Sequence, residues 1–397
     1  MNTNQTDIII IGAGLSGIGA ACHLKRKNPG KNFLILEARE EIGGTWSLFK
    51  YPGIRSDSDM YTFGYSFKTW DDDKSFADAP SILKYLREAT EEYKIKDKIV
   101  FNQKVVSYNF DTKQNLWTIK TINSKTKKEE NYVSQFIFNA SGYYNYDNGF
   151  TPIFKGLNKF KGIFIHPQKW DKNLDYKNKK VVVIGSGATA VTIVPKIAKE
   201  VEKVTMLQRS PTYIAALPNK DKVAKFIKKI LPSKAAHKTI RTKNILADMI
   251  FYNLCRKYPD KMKNFILKGV KKSLGNFPIE PHFTPNYKPW DQRFCLVPDG
   301  DFFKAIKSGK ADVKTDTIET FTKNGIKLKS GEILEADIIV SATGLKLLPF
   351  GGAKISLNNK PFDITKQFIY KGLMLSELPN FFVFAGYTNA SWTLKSD

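Results

Sequence analysis

Three glycines near the start of the chain have the spacing of a phosphate-binding turn. Gly12, Gly14 and Gly17 form the pattern G-x-G-x-x-G directly after an apolar run. The first glycine allows a tight turn, the second lets a pyrophosphate approach the backbone, and the third lets a helix pack closely on a strand. The N-terminus of that helix would present free N–H groups to the phosphates. The turn predicts a dinucleotide site with contacts from Gly12, Gly14, Leu15, Ser16 and Gly17.

An acidic residue stands where such a site needs one. Glu37 lies 20 residues after Gly17, at the end of the next predicted strand. A carboxylate at that position accepts hydrogen bonds from ribose hydroxyls. A glycine turn without a ligand is the alternative interpretation, but the flanking strand and helix favour the nucleotide site.

A second turn of the same kind carries the opposite charge at the matching position. It begins at Gly185 and ends in Ala190, a permitted replacement for the last glycine, and Arg209 follows 19 residues later. A guanidinium binds a 2′-phosphate that a carboxylate would repel, so this site predicts NADPH rather than NADH. An unpaired surface arginine is the alternative. The predicted contacts are Gly185, Ser186, Gly187, Ala188, Thr189, Ala190, Arg209 and Ser210.

The elements that must hold these turns follow from the apolar pattern. Each turn is expected between a buried β-branched strand and a helix, with a further strand after the helix. The resulting prediction is an α/β fold with two Rossmann-like dinucleotide-binding domains. Strands are predicted at 7–11, 33–37, 99–106, 117–121, 135–140, 181–184, 204–208, 326–329, 338–342 and 381–385, and helices at 15–27, from 188 to about 199, and across 221–272.

Composition fits this organisation and limits the partners. The 397 residues are enough for two or three domains, and three cysteines far apart in the sequence favour a reducing cytoplasm over a disulfide scaffold. Much of the net charge of +25 lies in residues 220–272, which contain sixteen Lys or Arg and three acids. A solvated helical surface explains this segment, and peripheral contact with the cell membrane is the alternative. No nucleic-acid-binding motif accompanies the charge.

A linker motif between the two turns resembles a family fingerprint. Phe160-Lys-Gly162-Ile-Phe-Ile-His166-Pro-Gln-Lys-Trp170-Asp171 matches F-x-G-x-x-x-H-x-x-x-W-[P/D], the signature of type I Baeyer–Villiger monooxygenases. Further stretches are similar to the ethionamide-activating subgroup of that family. They are 43–46, Tyr51-Pro-Gly-Ile-Arg-Ser-Asp57-Ser-Asp-Met-Tyr61, 141–146, 208–213, 289–296 and 386–392.

The resemblance implies FAD, NADPH and O2 as reactants. It implies oxygen insertion beside a ketone carbonyl, or transfer to the sulfur of thioamides and sulfides, through a flavin C4a-peroxide. It places Arg293 over the flavin with Asp57 as its partner, and gives His166 a role in coupling domain movement to catalysis. A guanidinium held in a fixed position can stabilise a peroxide anion through its positive charge. The further cofactor contacts implied are Gly44, Thr45, Trp46, Asp57, Tyr61 and Val105.

The same motifs and predicted elements indicate the domain boundaries. We expect an FAD-binding domain at 1–145 and 341–397, an NADP-binding domain at 146–215 and 276–340, and a basic helical insertion at 216–275. Relatives continue beyond the last motif, so we expect a C-terminally incomplete FAD domain. Two alternatives stay open, namely an S/N-oxygenating flavin-containing monooxygenase and an inactive dinucleotide-binding protein. A flavin disulfide reductase is disfavoured because no close cysteine pair exists.

Overall fold

The computed structural model of the protein describes residues 3–384. The strands are β1 (Thr3–Ile11), β2 (Phe33–Leu36), β3 (Ile99–Val100), β4 (Gln103–Asp111), β5 (Leu116–Asn123), β6 (Glu129–Asn139), β7 (Tyr144–Gly149), β8 (Ile163–Ile165), β9 (Lys180–Ile184), β10 (Lys203–Gln208), β11 (Tyr213–Leu217), β12 (Phe294–Pro298), β13 (Ala311–Thr315), β14 (Ile318–Thr322), β15 (Gly325–Leu328), β16 (Ile333–Glu335), β17 (Ile338–Ser341), β18 (Leu345–Leu347), β19 (Lys354–Leu357), β20 (Lys360–Pro361), β21 (Ile369–Tyr370), β22 (Met374–Leu375) and β23 (Phe381–Val383). The α-helices are α1 (Leu15–Lys27), α2 (Thr45–Leu48), α3 (Met60–Phe63), α4 (Ala79–Glu92), α5 (Ala188–Ile197), α6 (Lys222–Ile230), α7 (Ser233–Lys257), α8 (Pro259–Leu274) and α9 (Asp301–Lys307).

Two sheets with parallel cores organise the chain and confirm the predicted α/β fold class. In the first sheet β23, β6, β1, β2 and β3 run parallel, and β5 and β4 continue it in antiparallel order from β6. The second sheet is fully parallel in the order β13-β10-β9-β17-β8. The crossovers β1-α1-β2 and β9-α5-β10 are the two nucleotide-fold units expected from the glycine turns.

Each sheet is covered on both faces by its own apolar core. Ile8 and Ile10 point to one face of the first sheet, and Ile9 and Ile11 point to the other. This alternation follows from the two-residue period of a strand. The second sheet likewise buries Val181 and Val183 on one face and Val182 on the other. Continuous β-branched runs are typical of such two-sided burial.

Two predicted elements differ from the structure. The single strand expected at 99–106 is two strands, because Asn102 adopts a positive φ of 62° and the chain turns there. β3 therefore pairs with β2, whereas β4 pairs with β5. The helical stretch 221–272 is three helices, interrupted at Pro232 and Pro259. Proline lacks an N–H and disfavours helix in the preceding residue, which explains both breaks.

Both covalent crossings between the two sheets lie at one place. β7 and β18 lie on the two crossings between the sheets and pair with each other as an antiparallel ribbon. The predicted boundaries at 145/146 and 340/341 lie at these crossings, and the domain division stays a prediction. Ala224 of α6 and Ile240 of α7 pack in the core of the first sheet, while Val270 and Leu274 of α8 pack in the core of the second. The helical insertion thus contacts both.

Candidate functional site

The first glycine turn is closed on one side and open on the other. Gly12 has a φ of 96°, and a Cβ added to it would lie 2.7 Å from the carbonyl oxygen of Ala140. A Cβ on Gly17 would collide with the carbonyl oxygen of Gly12, so the third glycine lets α1 pack against the turn. A Cβ on Gly14 would meet only Gly44, at 3.6 Å. The open face at Gly14 leaves room for a ligand beside the backbone.

The helices that follow the two turns have no side-chain caps. α1 starts after Gly14 and α5 after Gly187, and among residues 3–384 no side chain accepts a hydrogen bond from the first turn of either helix. In contrast, aspartates cap other helices, such as Asp78 for α4 and Asp221 for α6. The first N–H groups of a helix have no partner within the helix. Together with the helix dipole, they provide a site for an anion at α1 and at α5.

Glu37 is held at the end of β2 by backbone groups. Its carboxylate accepts hydrogen bonds from the N–H of Ala13 at 2.7 Å and from the N–H of Arg39 at 2.9 Å. Burial raises the pKa of Glu37, and these hydrogen bonds oppose the rise. Carboxylate oxygens accept more than one hydrogen bond each. The side chain lines the cleft and retains acceptor capacity for hydroxyl groups.

Arg39 is a residue that our sequence analysis missed. Its guanidinium donates to the carbonyl oxygen of Gly44 at 3.1 Å and to Oγ of Ser47 at 2.7 Å. It therefore fixes the loop that contains Gly44, Thr45 and Trp46 over the first turn. The signal available in the sequence was its position two residues after the strand-end acid.

The second turn has the same backbone design and a charged neighbour. Gly185 has a φ of 126°, and a Cβ there would collide with the carbonyl oxygen of Ala342. A Cβ on Gly187 would meet Nη1 of Arg293 at 2.5 Å. The guanidinium of Arg293 therefore lies against the second turn.

Both turns open into one cleft of about 3060 Å³. Single-ligand sites are typically about 300–1,000 Å³, so the cleft has room for more than one ligand. The predicted site residues that line it are Gly12, Gly14, Leu15, Ser16, Glu37, Gly44, Thr45, Trp46, Asp57, Val105, His166, Ser186, Gly187, Ala188, Thr189, Ser210 and Arg293.

Five predicted contacts lie elsewhere. Gly17, Gly185 and Ala190 lie behind the turns, where they allow close packing of strand and helix. Tyr61 is 2% exposed in the core of the first sheet, with its ring 5.9 Å from that of His237, because α3 directs it toward α7. Arg209 borders a separate, smaller cavity.

Asp57 and Arg293 face the same region of the cleft but are not paired. Within residues 3–384 no ion pair joins them, and their partnership stays a prediction. The carboxylate of Asp57 instead has the charge of Arg55 nearby, and Arg293 lies against Gly187. Desolvation by the surrounding walls raises the pKa of Asp57, although its surface faces the cleft. The charges of Asp57 and Arg293 both act on the buried thiol of Cys295, whose pKa burial raises to about 12.

His166 ties the linker to the second crossing between the sheets. Its Nδ1 accepts a hydrogen bond from the N–H of Gln168 at 3.1 Å. Its Nε2 lies 3.0 Å from the carbonyl oxygen of Gly344, so Nε2 carries the proton and donates. Partial burial lowers the pKa of His166, which favours this neutral form. Trp170 of the same motif is buried in the core of the second sheet.

A direct hydrogen bond links the two halves of the cleft, and sequence reasoning missed it. Tyr51, on the loop after the first turn, hydrogen-bonds through its side chain to Thr189 of α5. Burial raises the pKa of Tyr51 to about 12, so the hydroxyl stays protonated. Gly53 packs against Lys196 of the same helix, where an added Cβ would approach to 3.0 Å.

Comparison with known proteins agrees with this geometry. The model of the pyridine nucleotide-disulphide oxidoreductase family matches residues 9–245. The chain is 51% identical to the probable FAD-binding monooxygenase AlmA of Acinetobacter baylyi over 98% of this chain and 78% of that protein. It is 49% identical to the FAD-containing monooxygenase EthA of Mycobacterium tuberculosis over 100% of this chain and 81% of that protein.

The fold is also similar to that of a solved enzyme. The ε-caprolactone-bound structure of cyclohexanone monooxygenase superposes with a TM-score of 0.80 at 21% identity, covering 99% of this chain and 85% of the other. Among residues 3–384, no helix is both long and apolar enough to cross a membrane. The motif at 386–392 lies outside the described residues.

Proposed function

The chain belongs to the family of FAD-containing monooxygenases, and from this premise we propose that it uses FAD, NADPH and O2 to insert oxygen beside a ketone carbonyl. One observation carries the proposal. Two glycine turns with uncapped helix N-termini open from two parallel sheets into one cleft, and Arg293 and Asp57 face that cleft. The cleft thus has a separate phosphate site for each dinucleotide.

The first turn fits FAD by shape and by charge. An added Cβ at Gly14 would project into the open side of the turn, and the N–H groups of α1 have no side-chain partner there. Gly12, Gly14, Leu15 and Ser16 would hold the pyrophosphate, and Glu37 the ribose. When bound, the flavin supplies the redox chemistry, in which it accepts a hydride from NADPH and activates O2.

The second turn fits NADPH in the same way. Ser186, Gly187, Ala188 and Thr189 would hold its pyrophosphate at the N-terminus of α5. Arg209, at the end of β10, would bind the 2′-phosphate. The hydrogen bond from Tyr51 to Thr189 would hold α5 against the loop of the first domain and so keep the two nucleotides in register.

Arg293 supplies the fixed positive charge. A guanidinium is a cation with a rigid fork of donors, and that of Arg293 would stabilise negative charge that develops in the cleft. Asp57 lines the same cleft and would orient the guanidinium of Arg293 when ligands close the gap between them. This proposal assigns Arg293 and Asp57 as catalytic residues.

His166 acts as a positioning residue. Its donation to Gly344 connects the linker between the sheets to the crossing at β18. The side chain also lines the cleft. A change in the relative orientation of the sheets would therefore be transmitted to the cleft wall through this hydrogen bond.

The substrate proposal extends to sulfur compounds. The relative EthA is named an FAD-containing monooxygenase, and oxygen transfer to thioamide or sulfide sulfur is the second reaction that we propose. The S/N-oxygenating alternative predicts turnover of tertiary amines instead. A disulfide reductase is disfavoured because Cys22, Cys255 and Cys295 are all buried and free.

The decisive experiment follows the colour and the products of the purified full chain. With added FAD we expect a yellow protein that bleaches on anaerobic addition of NADPH, and in air we expect an ester or lactone from a ketone. The variant Arg293→Met should still bleach but release hydrogen peroxide in place of product. A protein that stays colourless with FAD supports the inactive alternative. A bleaching protein that oxygenates only amines contradicts the ketone reaction.

We also propose that the helical insertion contacts an anionic membrane surface. Several large apolar side chains of α6 and α7 are exposed. Those of α6 are flanked by lysines of the same helix, whereas residues 246–254 of α7 include no lysine. The exposed residues are Val223, Phe226, Ile230, Leu246, Met249, Ile250 and Leu254, of which Val223 and Met249 also line the cleft. Apolar contacts flanked by cations suit acidic lipid headgroups.

The protein should float with phosphatidylglycerol vesicles in a density gradient, and the double substitution Phe226→Glu and Ile250→Glu should abolish this flotation. Equal flotation of this double variant contradicts the assignment.

A further inference from the structure

A second cavity, of about 330 Å³, lies where β10 ends. It is lined by Arg209, Ser210, Pro211, Glu280, Pro281, Thr284, Asn286 and Thr315. Ser210 and Pro211 also line the main cleft, so the two spaces adjoin. In a nucleotide fold, the end of the second strand lies beside the adenosine ribose. The small cavity is therefore positioned to receive the 2′ substituent of that ribose.

Two opposite charges face this cavity without pairing. Arg209 and Glu280 are both exposed. Neither has an ion pair or a side-chain hydrogen bond to any residue from 3 to 384. Because the two groups share one cavity wall and yet remain apart, the space between them is available to a ligand that meets both.

The loop that carries Glu280 is fixed to the strand end. Nε2 of Gln208, the residue before Arg209, donates to the carbonyl oxygen of His282 at 2.7 Å and to Oγ1 of Thr315 at 2.8 Å. Nδ1 of His282 lies 2.9 Å from the same Oγ1, within hydrogen-bond distance. Phe283 is buried in the core of the second sheet. The position of Glu280 relative to Arg209 is therefore set by the fold.

We propose that Glu280 is a nucleotide-specificity residue that opposes the preference of Arg209 for a 2′-phosphate. A carboxylate repels the dianionic 2′-phosphate of NADPH and accepts a hydrogen bond from the 2′-hydroxyl of NADH. The preference for NADPH is consequently weaker than Arg209 alone would set, and NADH is a usable second donor. This inference rests on the assignment of NADPH to the second turn.

Binding of nucleotide fragments tests the inference without turnover. Calorimetric titration of the full chain with 2′,5′-ADP and with 5′-AMP compares a ribose that carries the 2′-phosphate with one that lacks it. Glu280→Gln should bind 2′,5′-ADP about three- to tenfold more tightly, the size expected for one unit charge near a dianion in a water-like dielectric. Its affinity for 5′-AMP should stay the same or fall. Arg209→Gln should bind 2′,5′-ADP about tenfold more weakly.

A matched control separates local charge from net charge. Glu319→Gln removes the same charge from the same half of the protein, but Glu319 pairs with Lys327 at 3.0 Å away from the cavity. This control should leave both affinities unchanged. If Glu280→Gln behaves like it while Arg209→Gln loses affinity, the role of Glu280 is refuted and the NADPH site stands. If the wild-type chain binds neither fragment, the proposed NADPH site fails, and the role of Glu280 fails with it.

Discussion

Gly14 offers a way to remove flavin binding without disturbing the fold. Its φ of −79° and ψ of −170° are accessible to alanine, and the nearest protein atom to an added Cβ is Cα of Gly44 at 3.6 Å, an ordinary contact. Replacement of glycine by alanine at such a position typically stabilises a protein by about 0.4–1 kcal/mol, because the unfolded chain loses entropy. The folded apoprotein of Gly14→Ala should therefore be as stable as the wild type or slightly more stable.

The added methyl would instead occupy the space of the pyrophosphate. Overpacking by one carbon costs about 1–3 kcal/mol, and about 1.4 kcal/mol corresponds to a tenfold change in affinity. The dissociation constant for FAD should therefore rise roughly five- to 150-fold. Quenching of flavin fluorescence measures this constant, and the thermal midpoint of the apoprotein measures stability.

Two controls make the result interpretable. Gly30→Ala adds a methyl in open space and should leave FAD affinity unchanged. Gly17→Ala should lower the apoprotein's thermal midpoint, because its Cβ would collide with the carbonyl oxygen of Gly12. Wild-type FAD affinity in Gly14→Ala would show that the pyrophosphate does not pass over this turn, and the reasoning from the open face would be refuted.

Three further changes test other parts of the site. Asp248→Asn should raise the thermal midpoint at pH 8 but not at pH 4, because desolvation by the walls of the cleft and the charge of Asp59 raise the pKa of Asp248 to about 6, although the residue is exposed to the cleft. The stability that the protonated form supplies is lost as pH rises through 6, an effect of roughly 1 kcal/mol after screening. Tyr51→Phe should raise the KM for NADPH about threefold or more with FAD affinity unchanged, since it removes only the hydrogen bond to Thr189; an unchanged KM in steady-state kinetics would contradict this. His166→Phe should increase the ratio of hydrogen peroxide to oxygenated product, whereas equal ratios would show that the bond to Gly344 is only structural.

The elements predicted most accurately from the sequence are those whose bounds depend on neighbouring residues in the chain. The bounds of α1 are the predicted 15–27, because the glycine turn before the helix and Asn28, Pro29 and Gly30 after it are local signals at its two ends. The split at Asn102 was not predicted because a polar stretch within an extended segment does not by itself mark a turn. Only the positive φ of Asn102 and the pairing of β3 with β2 and of β4 with β5 separate the two strands.

Contacts between segments that lie far apart in the chain could not be predicted from the sequence. The hydrogen bond between Tyr51 and Thr189 joins residues from different nucleotide folds. Tyr61 lies in the core because α7 packs against α3. The position of Arg293 against Gly187 likewise depends on how β12 enters the cleft. Residue type indicated that these side chains mattered, but the packing of the two sheets decides which neighbours they meet.

The ribbon formed by β7 and β18 limits how the two sheets can move. Both covalent crossings run side by side there and are hydrogen-bonded to each other. A pair of adjacent connections resists separation and sliding of the two sheets but permits their rotation about the direction of the ribbon. The hydrogen bond between Tyr51 and Thr189 and the helices α6 to α8 also connect the two sheets, so such a rotation would have to displace those contacts as well.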